Sequence, residues 1–137
     1  MFFAKKLYDI AINEQNTNKD QQPLANYQLI YINVRGYHWN IKGAKFFELH
    51  REFEDVYTEF INQIDDIVER ILTLGHTPDH TYSAYLKVSE IKEHQHATEP
   101  KVCVQGLLDG LLILLDKQRH IIHVASEEKD EGNPPKK

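Results

Sequence analysis

Downstream of Gly43 the chain sets Phe47, Phe53, Val56, Tyr57, Phe60, Ile64, Ile67, Ile71 and Leu74 at intervals dominated by three and four residues. That is the period of an amphipathic helix of about eight turns, closing at Gly75. Upstream, Tyr27, Ile30, Tyr31, Val34 and Trp39 repeat through residues 24–42 and predict a first long helix, with Gly43 as a left-handed C-terminal cap. Gly36 inside that helix costs about 1 kcal/mol relative to Ala, which predicts a close helix contact there. A third long helix is expected over about residues 99–126, where Leu107, Leu111, Leu114, Leu115, Ile121, Ile122 and Ala125 make an apolar stripe. Between the second and third, turn residues at Thr77, Pro78 and Asp79 precede a short helix near 82–88. At the start, Phe3, Leu7, Ile10 and Ala11 predict a short helix over 2–13, too short to stand alone. A polar linker follows, with Asp20 placed to cap the first long helix and Pro23 near its first turn. Few alternating β-branched runs occur, so the expected class is all-α.

Composition narrows the function more than the fold. The 137 residues suffice for one domain with a real core. Net charge is −5, which argues against tight DNA binding through a broad basic face; the basic clusters are only Lys5-Lys6 and Lys136-Lys137. Acidic balance suits a protein that attracts cations. Cys103 is the sole cysteine, so no internal disulfide forms and a reducing compartment fits. No stretch reads as a signal peptide or a membrane span, so the expected location is cytoplasmic.

Acids and imidazoles interrupt the second helix in order. His50 and Glu54 lie one turn apart, as do Asp65 and Glu69, and all four fall within roughly a quarter-turn. Within one straight helix the pairs cannot meet, because Glu54 and Asp65 are some 16 Å apart at about 1.5 Å per residue. Antiparallel packing of this helix on its own copy, with a two-fold axis near residues 58–61, would set His50 and Glu54 against the partner's Asp65 and the partner's Glu69. His38, at the end of the preceding helix, joins the His50 end. Two imidazoles and three carboxylates make a mixed N/O shell suited to Fe(II), Mn(II) or Zn(II). The bland alternative is solvated polar residues on ordinary helices, and spacing alone does not choose.

The run His38-Trp39-Asn40-Ile41-Lys42-Gly43, then Phe46-Phe47, Leu49-His50, Phe53-Glu54, Tyr57, Asp65, Glu69-Arg70 and Leu74-Gly75, closely resembles the Dps family of mini-ferritins. The likeness spans about residues 24–93. It implies a ferritin-like bundle and an intersubunit ferroxidase centre, in which His38, His50 and Glu54 of one subunit meet Asp65 and Glu69 of its two-fold partner. It further implies oxidation of Fe(II), preferentially by hydrogen peroxide, with storage of ferric mineral in a dodecameric shell. Glu54 stands where many members have Asp. Trp39 is similar to the family's tryptophan beside the centre, able to yield an electron to a strong oxidant or simply to pack at the helix end. The short helix near 82–88 resembles a family element at the dimer interface.

Three features fall outside that pattern. Asp109, Asp116, His120, His123 and Glu127 align within about 60° on the third helix, as a second metal site or as a solvated outer face. His76, His80, His94 and His96 read as exposed loop histidines. Residues 127–137 are expected as a flexible acidic and Pro-Lys tail, with Asp130 and Glu131 resembling the family's acidic turn near a three-fold pore. Pro134 and Pro135 forbid a helix running through them, so the family's fourth helix is expected to be missing here. Open apolar stripes should result, and residues 2–13 are expected to fold back over part of them.

Overall fold

The computed structural model describes residues 21–132, and among these all regular structure is helical. The elements are α1 (Gln22–Asn40), α2 (Phe46–Thr73), α3 (Tyr82–Val88) and α4 (Pro100–Gly132). The helix expected over 2–13, its linker, Asp20 and the prolines of the tail lie outside the described residues.

α1 is the hub. α2, α3 and α4 each pack on it and scarcely touch one another. Contacts along the α1–α2 seam run from Tyr27 against Phe60, through Tyr31 against Tyr57, to Tyr37 against Phe53, so the two helices are antiparallel. On another side of α1, Gln118 donates to the Tyr27 hydroxyl at 3.1 Å, while Gly106 lies against Tyr37. α4 is therefore antiparallel to α1 as well. Since α2 and α4 both oppose α1, they run parallel to each other, and a long crossover must join them.

That burial on several sides explains α1's composition. Leu24, Ala25, Tyr27, Leu29, Ile30, Val34 and Tyr37 are all buried, together with the amides Asn26 and Asn33. The amides hold the crossover. Asn26 Oδ1 accepts from Ser89 Oγ at 3.1 Å and from the Glu90 backbone N–H at 2.8 Å. Asn33 donates to the Lys92 carbonyl at 2.8 Å and accepts from the His94 backbone N–H at 3.0 Å. Gln22 donates to the Val88 carbonyl, and Gln21 brackets the turn by donating to Thr77 and accepting from Asp79 N–H. An irregular segment cannot satisfy its own backbone, so side chains along one line of α1 do it instead.

α2 buries only one line, Phe53, Phe60, Ile64 and Ile71, against α1. It ends in a Schellman motif: Gly75 sits at φ +85°, its N–H donates to Leu72 O, and His76 N–H donates to Ile71 O, both at 3.0 Å. Pro100 opens α4, where its missing N–H costs nothing.

Several expectations change. α1 ends at Asn40 with Ile41 extended at its cap. Gly43 therefore turns the chain at φ +121° beyond the helix and is not its cap residue. Among the described residues a Cβ added at Gly36 would meet nothing within 4 Å, so the close contact expected there is not found among them. The close approaches are at Gly106, whose added Cβ would strike the Tyr37 hydroxyl, and at Gly110, where it would lie 2.7 Å from Ile30 Cδ1. α4 continues to Gly132, so residues 127–132 are its last turns rather than the start of a tail, and Asp130 and Glu131 lie within the helix. Leu108, Leu112, Leu115 and Ile122 on α4 are exposed among the described residues.

Candidate metal centre

His38 lies in the last turn of α1 and His50 in the first turns of α2, and the antiparallel seam brings them together. Their rings stack with centroids 3.7 Å apart and planes 14° apart. His38 Nδ1 meets the His50 backbone carbonyl at 2.6 Å, and His50 Nδ1 meets the His38 carbonyl at 2.7 Å. A carbonyl oxygen only accepts, so both Nδ1 atoms carry the proton and both Nε2 lone pairs are left for other use. This is the outer bond that commonly orients metal-binding histidines. His50 is held on its other side by the Phe46 ring at 4.9 Å, and His38 by the edge of Tyr57 at 5.3 Å. His38 is buried and His50 half-buried.

Glu54 follows His50 by one turn and is exposed, as are Asp65 and Glu69 further along the same unbroken helix. Thr58 and Thr73 hydroxyls bond back to the Glu54 and Glu69 carbonyls at 2.7 and 2.8 Å. Within the chain, Asp65 and Glu69 do not reach the histidines, and no three His, Cys, Asp or Glu side chains among the described residues are close enough to share a metal ion. The carboxylates lie instead on an outward stripe interleaved with apolar residues that are open to solvent: Phe47 at 81%, Ile61 at 38% and Leu72 at 58% exposure. The stripe is symmetric in sequence about its middle. Reversing the helix about a point between Glu59 and Phe60 exchanges Phe47 with Leu72, His50 with Glu69, Glu54 with Asp65, and Thr58 with Ile61. The donor set of two imidazole Nε2 atoms and carboxylates fits iron among the divalent metals.

Trp39 is 55% exposed, just beyond His38. The Arg35 guanidinium lies 4.7 Å from its ring, 5.7 Å from the Tyr31 ring and 5.9 Å from the Tyr57 ring. Sequence reasoning passed over Arg35, although Tyr31, Arg35 and Trp39 at four-residue spacing share one face of α1 and were open to that reading.

Elsewhere, expectations divide. His94 is half-buried, not a free loop histidine: its Nδ1 meets the Tyr37 hydroxyl at 2.5 Å. Burial, with Cys103 and Asp109 nearby, pushes the Tyr37 phenol up to about 12, so the hydroxyl keeps its proton in this bond, whose direction follows the His94 tautomer. Asp109, Asp116, His120, His123 and Glu127 are exposed. His123 pairs with Glu127 at 3.2 Å and Asp109 accepts from Gln105, so the row is solvated and three of its five residues have a side-chain partner.

Residues 21–133 match the ferritin-like domain family. A protein named DNA protection during starvation protein, from Porphyromonas gingivalis, is 44% identical over 108 residues, covering 79% of this chain and 68% of that one. The chain belongs to the Dps family. An uncharacterized protein of Haemophilus influenzae is 52% identical to this Dps-family chain over 84% of its length and 72% of the relative's. The crystal structure of Dps from Vibrio cholerae, a member of a broad superfamily of ferritin-like diiron-carboxylate proteins, superposes with a TM-score of 0.77 at 46% identity, covering 94% of this chain and 76% of that one. Among the described residues no helix is long and apolar enough to cross a membrane.

Proposed function

We propose that this Dps-family protein is a ferroxidase that takes Fe(II) as substrate at sites shared between two copies of the chain. The observation that carries the reading is the reciprocal His38–His50 tie, which leaves two imidazole lone pairs side by side at the end of a two-fold-symmetric acidic stripe. Pairing α2 with its own copy brings His50 opposite the partner's Glu69 and Glu54 opposite the partner's Asp65, while Phe47 covers the partner's Leu72. His38, His50 and Glu54 then hold iron from one side and Asp65 and Glu69 from the other. Each of two Fe(II) gives one electron to a hydrogen peroxide, its O–O bond breaks, and two protons complete two waters. Oxygen is the alternative oxidant. The carboxylates neutralise the growing charge of the ferric product, and the Nδ1–H bonds keep the imidazoles from turning as it forms. Trp39 stands at the edge of the site.

On this reading the copies assemble further, into a dodecameric cage that stores the ferric product, in a cytoplasmic protein. The −5 net charge argues for weak or no DNA contact through the chain itself. Non-catalytic protection of DNA is the second reading, favoured by the names of relatives such as that of Porphyromonas gingivalis. Stopped-flow oxidation of Fe(II) by peroxide decides between them. Asp65→Ala with Glu69→Ala should abolish the fast phase; an unchanged rate in that variant overturns the ligand assignment.

A further inference from the structure

Arg35 is an unusual cation. It has three aromatic rings within 4.7–5.9 Å, its Nη1 donates to the Tyr31 hydroxyl at 2.8 Å, and its Nε is buried without a hydrogen-bond partner among the described residues. Among the described residues no carboxylate pairs with it. Its charge is therefore directed at the rings, and the Trp39 ring is the nearest of the three. Tyr57 in turn touches His38, so this cluster adjoins the candidate centre through one ring contact.

A cation over an indole face is held by the ring's electron density, and removing an electron turns that attraction into repulsion. We propose that Arg35 is a redox-positioning residue that shields Trp39 from one-electron oxidation, so that peroxide at the adjoining site draws its electrons from Fe(II) and not from the protein. Tyr31 shares the protection. Oxidising a tyrosine requires losing its phenolic proton, and the donor it faces is a guanidinium with no capacity to accept one. This deepens the ferroxidase reading by naming the residue that controls where oxidising equivalents go.

The experiment contains no iron and no peroxide, so its failure and the failure of the ferroxidase reading are distinguishable. Azidyl radical, a neutral one-electron oxidant, is generated in limiting dose in the assembled protein. It takes one electron from the indole and leaves as azide, and the indole radical cation releases its Nε1 proton to water. Trp39 is the only tryptophan, which makes its transient absorption assignable, and Tyr82, on α3, is an internal standard compared across the assembled variants in peptide mass mapping. Arg35→Met, similar in reach but uncharged, should raise Trp39 oxidation relative to Tyr82 about fivefold. Arg35→Lys, which keeps the charge, should restore most of the protection. Should Arg35→Met not assemble, Arg35→Gln carries the same comparison. An unchanged ratio in the uncharged variant overturns the proposal, and so does equal loss of protection in Arg35→Lys, which would make the effect one of cover and not of charge.

Discussion

His38 and His50 hold each other by the backbone: each Nδ1–H donates to the other's carbonyl, at 2.6 and 2.7 Å, across rings stacked at 3.7 Å. Both rings are thereby set in the Nδ1–H tautomer, the less common one for a free imidazole. Nitrogen-15 NMR of the metal-free protein should report Nδ1–H for both residues, and Co(II), used as a redox-quiet probe, should perturb both Nε2 signals. An Nε2–H tautomer at either ring would remove the basis for metal binding there. Replacing either histidine by Ala should weaken Co(II) binding tenfold or more, read by calorimetry.

The symmetry of the α2 stripe predicts complementation. On the proposed pairing, His50→Ala and Asp65→Ala damage opposite halves of a shared site, so each alone should oxidise Fe(II) slowly. Mixed and reassembled, half-and-half pairs contain one site with both lesions and one with neither. Recovery of part of the fast phase is expected; no recovery on mixing would mean that the ligands belong to a single chain.

Glycine replacements test the packing. Gly106→Ala puts a methyl onto the Tyr37 hydroxyl and within 2.8 Å of His94 Nδ1, both held by their mutual bond, and should cost about 1–3 kcal/mol. Gly110→Ala meets the end of the Ile30 side chain, which can turn, and should cost less. Gly36→Ala meets nothing among the described residues and should stabilise by about 0.4–1 kcal/mol. Urea unfolding of the three variants gives the order directly, and destabilisation by Gly36→Ala would contradict the α1 environment described above.

Tyr37 sets an alkaline limit. Its phenol titrates near 12 in the folded protein but near 10 when unfolded, because burial disfavours the phenolate. Between those values the unfolded chain has lost a proton that the folded chain keeps, so stability falls as pH rises through that window and is unaffected below it. Tyr27 and Tyr85 are also raised by burial and add to the slope in the same direction. Tyr37→Phe should flatten the fall in unfolding free energy above pH 10; an identical slope would show that the phenol ionises freely in the native state.

By itself the sequence determined the features written in local chemistry. The period of three and four placed α2, since only one line of that helix is buried and the apolar pattern is consequently clean. Gly75 marked a helix end because its backbone geometry suits that position and few others. The spacing of His50, Glu54, Asp65 and Glu69 was legible because a helix converts sequence distance into angle. Tertiary structure decided the rest. The apolar repeat placed α1 as well, but not that neighbours cover it on several sides, and its buried amides look like surface residues until the crossover they bind is in place. Which glycine marks a close approach depended on the register between helices, and this moved the contact from Gly36 to Gly106 and Gly110. The His38–His50 tie and the Arg35 cluster arise from a seam between two helices, and no periodicity along either one encodes a hydrogen bond made across it.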